Sequence, residues 1–211
     1  MKVAYINEKL ITSNAMFIAS DNRDFLYSDM GFNPTSTQYP IIWEDKNMAS
    51  FGVFDITNSG DLSVTAPIAE IFMSFDPYGV EFYPNRLNCA DGMSDQIRYI
   101  IAIHNEVDVV DIDKSHIEKM VIKYNPEKHG YDIPDEDKKD VIMYRTSRLF
   151  LSEEKIQNLP ENKKHIFKVK DTEAFFFSEE VYNALYNIAV DGKASGLTAY
   201  TFDTNEKAPK F

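Results

Sequence analysis

Four carboxylates lie close together in the stretch "EVDVVDID", residues 106–113, with no basic residue among them. They are Glu106, Asp108, Asp111 and Asp113. Three kinds of site have this composition: a cation site with oxygen ligands, the acid and base of a hydrolase, and a negative surface that attracts a positive partner. The remainder of the sequence has to distinguish among these three.

The stretch fails as a calcium-binding loop of the EF-hand type. Asp111, Asp113 and Ser115 supply oxygens at the first, third and fifth positions of such a loop. The loop then requires glycine at its sixth position and glutamate at its twelfth. His116 and Ile122 occupy those positions. We therefore predict no metal site here, and nothing else in the sequence indicates a cofactor.

A carboxylate- or metal-dependent hydrolase built around Asp108, Asp111, Asp113 and His116 is the enzymatic alternative. The four histidines of the chain occur singly, without the spacing of a metalloprotease motif. No serine lies in a G-x-S-x-G nucleophile elbow. We predict no catalysis. The sequence leaves the hydrolase open, however, because any two carboxylates can meet in a folded chain.

Negative charge is concentrated in one part of the chain. The formal net charge is -12, and residues 44–113 carry thirteen acids and three bases, a net -10. Residues 1–43 and 114–211 each sum to -1. Such a surface repels nucleic acid and attracts basic proteins. We expect it to bind a basic partner, with Tyr78 and Tyr83 as aromatic anchors beside the four carboxylates.

Several features of the sequence predict a soluble cytoplasmic protein. The N-terminal "MKVAYINEKL" lacks the apolar core of a signal peptide. No window reaches the roughly 18 apolar residues of a membrane helix. The single cysteine, Cys89, excludes an internal disulfide framework. We expect neither nucleic acid nor membrane as a partner, and the sequence is silent on self-association.

Two segments predict the same order of elements. Asp61–Pro84 and Ala174–Asp203 each have the pattern of a strand, a helix and a second strand, with Thr65 and Ser178 as predicted N-caps. Short capped helices between strands, without regular β-α-β alternation, favour an α+β fold with a mainly antiparallel sheet. The carboxylates follow the strong strand "RYIIAI", so we expect them at a strand end.

The domain organisation predicted from these elements is simple. We expect one α+β domain over residues 1–205, either undivided or formed from two lobes, 1–95 and 96–205. A polar C-terminal tail would occupy residues 206–211. Residues 124–140 are polar, charged and interrupted by proline, which predicts an exposed loop.

The order and content of several segments resemble a family of bacterial immunity proteins. The segments lie between Asp61 and Phe202 and are "GVEFYPNRL", "RYIIAIHNEVDVVDIDKS", "LFLSEEKI", "HIFKVKD", "FFFSEEVYNAL" and "SGLTAYTF". The family is defined on a myxobacterial prototype and was formerly a domain of unknown function. The resemblance implies the protective half of a polymorphic toxin system, a protein that binds and neutralises its cognate secreted toxin. It implies no catalytic residues and does not identify the toxin.

Overall fold

The described part of the chain forms two β-sheets and one separate β-hairpin. The computed structural model describes residues 1–8, 18–19, 40–50, 55–57, 62–123, 140–172, 174–192 and 197–209. The strands are β1 (Lys2–Glu8), β2 (Ile18–Ala19), β3 (Ile41–Asp45), β4 (Ile56–Thr57), β5 (Ser63–Thr65), β6 (Val80–Cys89), β7 (Gly92–Met93), β8 (Arg98–Ile103), β9 (Glu106–Val107), β10 (His116–Ile122), β11 (Val141–Arg148), β12 (Ile166–Val169), β13 (Phe175–Ser178) and β14 (Leu197–Asp203). The helices are α1 (Ala66–Ser74), α2 (Glu153–Gln157), α3 (Glu161–Lys164) and α4 (Glu179–Gly192).

The first sheet has the strand order β14-β1-β13-β12-β9. Its pairs are antiparallel except β12 and β9, which run parallel. The longest pairing joins β1 to β14, in register from Lys2 opposite Asp203 to Glu8 opposite Leu197. The short strand β9 therefore forms one edge of this sheet.

The second sheet has the order β2-β3-β6-β8-β5-β4, and β7 forms a hairpin with β6. Only β3 and β6 are parallel within it. Strands β10 and β11 form a two-stranded sheet of their own. The predicted α+β fold with mainly antiparallel sheets is confirmed.

Both predicted strand-helix-strand units are present, as β5-α1-β6 and as β13-α4-β14. Ser178 caps its helix, because its hydroxyl accepts a hydrogen bond of 3.4 Å from the backbone N–H of Val181. Thr65 occupies the N-cap position of α1, but its side chain makes no capping hydrogen bond. Asp61, the predicted start of the first unit, lies outside the described residues.

The two units pack their helices into one hydrophobic cluster that receives residues from both sheets. Phe72 of α1 stacks on Phe177 of β13, with ring centroids 5.4 Å apart. Ile6 of β1 and Ile101 of β8 belong to the same cluster. Each sheet contains strands from both of the segments 1–95 and 96–205. Strand β1 of the first segment pairs in the sheet of β12 to β14, and strand β8 of the second segment pairs in the sheet of β3 and β6. One domain over residues 1–205 and a tail over 206–211 stay predictions.

A buried asparagine joins the two sheets where the chain passes from β8 to β9. The side-chain amide nitrogen of Asn105 donates to the carbonyl oxygens of Lys163 and Ile166, at 2.9 and 2.8 Å. The preceding residue, His104, donates its backbone N–H to the carbonyl of Gly79 at 2.7 Å. Gly79 has a positive φ of 63°, and a Cβ there would lie 3.0 Å from the backbone nitrogen of Asn105. This position therefore requires glycine.

We expect Asn105→Ala to lower the free energy of unfolding by about 2 to 4 kcal/mol, because two carbonyls lose their donor in a buried site. Urea denaturation followed by the fluorescence of Trp43, the single tryptophan, measures the change. Asn88→Ala is the matched control, because its amide donates to the side chain of Glu44 at a partly buried position that water can reach. Equal losses in the two variants would contradict the special role of Asn105.

Candidate functional site

The acidic stretch, residues 106–113, contributes some side chains to the core and others to the solvent-exposed surface. Its three valines, at 107, 109 and 110, are buried in the hydrophobic cluster beneath the first sheet. Glu106, Asp108 and Asp113 are exposed, and Asp111 is half-buried. The three valines anchor the segment, and Glu106, Asp108 and Asp113 project into solvent. The stretch begins just beyond the end of β8, where a strand end was predicted.

Two of the four carboxylates have a lysine partner. The ammonium of Lys155 lies 3.1 Å from a carboxylate oxygen of Asp108 and also donates to the carbonyl of Val110 at 3.1 Å. The ammonium of Lys114 lies 2.8 Å from Asp111. The hydrogen bonds from this lysine hold the pKa of the Asp111 carboxyl below its usual value. The negative charge of the stretch is therefore partly offset where these lysines lie.

The other two carboxylates, Glu106 and Asp113, are in no ion pair within the described ranges. Glu106 is the register partner of Lys168 in β12, and Asp113 lies in the turn before β10. Both side chains are exposed. They are the carboxylates of the stretch most accessible to another molecule.

The two predicted aromatic anchors occupy different environments. Tyr78 is 52% exposed, and the ammonium of Lys163 lies 4.2 Å from the centroid of its ring. It precedes Gly79, whose neighbour in space is Asn105, so Tyr78 belongs to the same region as the acidic stretch. Tyr83 is half-buried in β6, packs on the core of the second sheet and donates to Glu81. Of the two rings, that of Tyr78 is the more accessible.

His116 lies near the acidic stretch but forms its own contact. Its Nε2 atom is 2.9 Å from a carboxylate oxygen of Glu118. A groove of about 350 Å³ brings His116 and Asp108 to one surface, together with Tyr144, Lys170 and other residues of both charges. Within the part of the chain that the structure describes, no three histidine, cysteine or acidic side chains gather as metal ligands.

The hairpin of β10 and β11, which we call the arm, was not predicted as a structural unit. Met120 lies opposite Met143, and Val121 lies opposite Ile142. These four side chains are between 38% and 52% exposed. The runs "HIEKMVIKY" and "DVIMYRTSR" on either side of a polar segment carried the signal of a hairpin. Residues 124–139 of the predicted loop lie outside the described ranges.

A pH titration can test the local electrostatics of the acidic stretch. We expect NMR titration of the carboxyl carbon of Asp111 to give a pKa below that of an ordinary aspartate, because Lys114 stabilises the charged form. The folded pKa is depressed, so the stabilising contribution is present above the unfolded pKa and is lost as the pH falls through the folded pKa. Lys114→Met should raise the pKa of Asp111, whereas the control Lys119→Met should not. An unchanged pKa in Lys114→Met would contradict this assignment.

The chain matches one protein family over most of its length. Residues 7–204 match the model of the Immunity protein family (Imm11). The match extends to residues before Asp61, beyond the segments that carried the resemblance in the sequence. No curated protein matches the chain. Among the helices of the described ranges, none is long and apolar enough to cross a membrane. The predicted resemblance is confirmed: the chain belongs to the Imm11 immunity protein family.

Proposed function

We propose that this protein neutralises one cognate bacterial toxin in the cytoplasm by forming a stoichiometric complex with it, without catalysis of its own. Membership of the Imm11 immunity protein family supports the protective role. The acidic stretch, whose exposed carboxylates lie in and just after the edge strand β9, is the observation that carries the proposed mode of binding. A basic surface of the toxin is its complement.

The surroundings of the acidic stretch suit a protein interface. Interfaces combine apolar or aromatic anchors with charged residues that remain partly hydrated. The ring of Tyr78 is such an anchor, and the exposed methionines and aliphatic residues of the arm add apolar area. Ser115 connects the stretch to the main body, because its hydroxyl accepts a 2.9 Å hydrogen bond from the backbone N–H of Phe150. The proposed contact surface is therefore preorganised for binding.

The carboxylates would act mainly on the rate of association. Charges that remain hydrated at an interface steer the encounter and select the partner more than they add to affinity. Asp108 and Asp111 already have lysine partners, which weakens the field of each carboxylate. We therefore assign the steering to the summed charge of residues 44–113, net -10, with the acidic stretch at its C-terminal end.

Neutralising the acidic stretch tests this mode of binding. The triple variant Asp108→Asn, Asp111→Asn, Asp113→Asn should slow association with the toxin by about tenfold at low ionic strength. It should also flatten the salt dependence of the association rate, because fewer charges remain to be screened. Stopped-flow kinetics with the purified toxin domain measures both quantities.

A matched control removes three charges elsewhere. Glu161→Gln, Glu180→Gln, Glu206→Gln neutralises three exposed carboxylates outside residues 44–113 and should leave the association rate closer to that of the wild type. Circular dichroism should show the same fold in both triple variants. If the first variant associates at the wild-type rate at low salt, the acidic stretch is a solvated loop and the interface lies elsewhere.

A hydrolase is the second candidate, because one groove brings Asp108 and His116 to the same surface. The binding proposal predicts that His116→Ala still protects cells that express the toxin, since the exposed imidazole forms a hydrogen bond or ion pair only with Glu118 among the described residues. Survival of toxin-expressing cells measures the effect, with a thermal melt to show that the variant folds. Loss of protection by a folded His116→Ala variant would favour the hydrolase.

A further inference from the structure

A second groove, which we call the basic groove, lies along the arm and has the opposite charge. Its volume is about 440 Å³. A run of residues in and just after β11 forms one wall, and a turn of the first sheet and the C-terminal segment form the other. The lining residues are Tyr144, Arg145, Thr146, Ser147, Arg148, Leu149, Thr172, Lys207, Ala208 and Pro209.

The basic groove follows the edge of a strand. Residues 144–148 line the groove as a continuous run, and side chains from both faces of a strand meet at its edge. The pairing with β10 shifts by one residue in this run, because Ile117 lies opposite Thr146 and His116 opposite Arg148. Arg145 and Arg148 consequently lie on the same face of β11, opposite Glu118 and His116. Strand β10 pairs with the opposite edge of β11 and contributes no residue to the lining. Within the described ranges, the groove edge of β11 has no strand partner. Backbone N–H and C=O groups of alternate residues are consequently available there.

Positive charge dominates this groove although the protein carries a net charge of -12. Arg145, Arg148 and Lys207 line it, and no acidic residue does. None of the three cations forms an ion pair with another described residue. The guanidinium of Arg148 lies 5.9 Å from the centroid of the Phe150 ring, which leaves its donors available for an anion.

The walls of the basic groove are fixed by contacts within the chain. The backbone N–H of Ala208 donates to the carbonyl of Leu149 at 2.8 Å, which holds the C-terminal segment against the end of β11. Tyr144 is hydrogen-bonded to Asp171, and this contact raises the pKa of the tyrosine hydroxyl. Tyr144 lines both grooves, so this residue is part of the wall between them. The groove is therefore preformed on both sides.

We propose that the basic groove binds an extended acidic peptide segment of a partner protein, which adds as a strand to the free edge of β11. Strand addition supplies main-chain hydrogen bonds, and pockets beside the edge select alternate side chains. Carboxylates at alternate positions would contact Arg145, Arg148 and Lys207, and arginine binds a carboxylate through two parallel hydrogen bonds. Nucleic acid is the less suitable ligand, since the net charge of -12 repels its phosphates. This site goes beyond the proposed function, because it selects a ligand of the opposite charge from the acidic stretch.

Fluorescence anisotropy tests the proposal with a labelled peptide that alternates glutamate and valine over about eight residues, the length of a typical strand. Wild-type protein should bind it saturably. The double variant Arg145→Gln, Arg148→Gln should bind at least about tenfold more weakly. The matched control Arg86→Gln, Lys46→Gln, which removes one cation from β6 and one from the turn after β3, should bind as the wild type does. Equal binding by both double variants would overturn the proposal.

Strand addition is tested separately from charge attraction. A peptide of the same sequence with alternate N-methylated amides keeps every carboxylate but cannot pair with a strand edge, and we expect it to bind at least about tenfold more weakly. Lys207 lies outside β11, and Lys207→Gln should also weaken binding of the unmodified peptide. This second variant tests the charge contribution even if the double arginine variant does not fold. Equal binding of the two peptides, or no saturable binding of either, would overturn the proposal.

Discussion

The buried side chain of Asn105 is the contact on which the candidate site depends. Its side-chain amide nitrogen donates to the carbonyls of Lys163 and Ile166. Its backbone carbonyl accepts a 2.9 Å hydrogen bond from the backbone N–H of Lys168 in β12. These bonds turn the chain out of the second sheet and lay β9 parallel to β12 in the first. That register places the side chain of Val107 in the core and that of Glu106 in solvent, and a slip of one residue would exchange the two faces of the strand. Gly79 permits the turn, since a Cβ there would press on the backbone of Asn105.

The arm separates two surfaces of unlike charge, which the net charge of the protein conceals. One carries the exposed carboxylates in and just after β9. The other carries Arg145, Arg148 and Lys207 along the edge of β11 that has no strand partner among the described residues. A two-stranded ribbon is marginally stable by itself, so the arm relies on contacts such as that of Tyr144 with Asp171. An immunity protein that presented both surfaces to its surroundings would recognise a partner by charge pattern as well as by shape.

The predictions that held were those that depend on neighbours in sequence. The fold class and both strand-helix-strand units follow from apolar periodicity and helix signals, which are local. The capping bond of Ser178 is present for the same reason, whereas the capping role expected of the Thr65 side chain was wrong. Thr65 is also the last residue of β5, buried and paired with Arg98, so the sheet sets the surroundings of its hydroxyl. At Thr65, packing in the sheet therefore outweighed the local preference of threonine for helix capping.

The sequence by itself determined the fold class, the family and the exposure of the carboxylates, because burying unpaired carboxylates costs several kcal/mol each. Only the tertiary structure decided which of them acquire partners. Lys155, 47 positions after Asp108, reaches it because α2 lies beside the acidic stretch. The basic groove likewise requires the C-terminal segment at Lys207 to lie against β11. Such contacts depend on the order of strands in the sheets, and hydrophobic periodicity identifies strands without specifying which of them become neighbours.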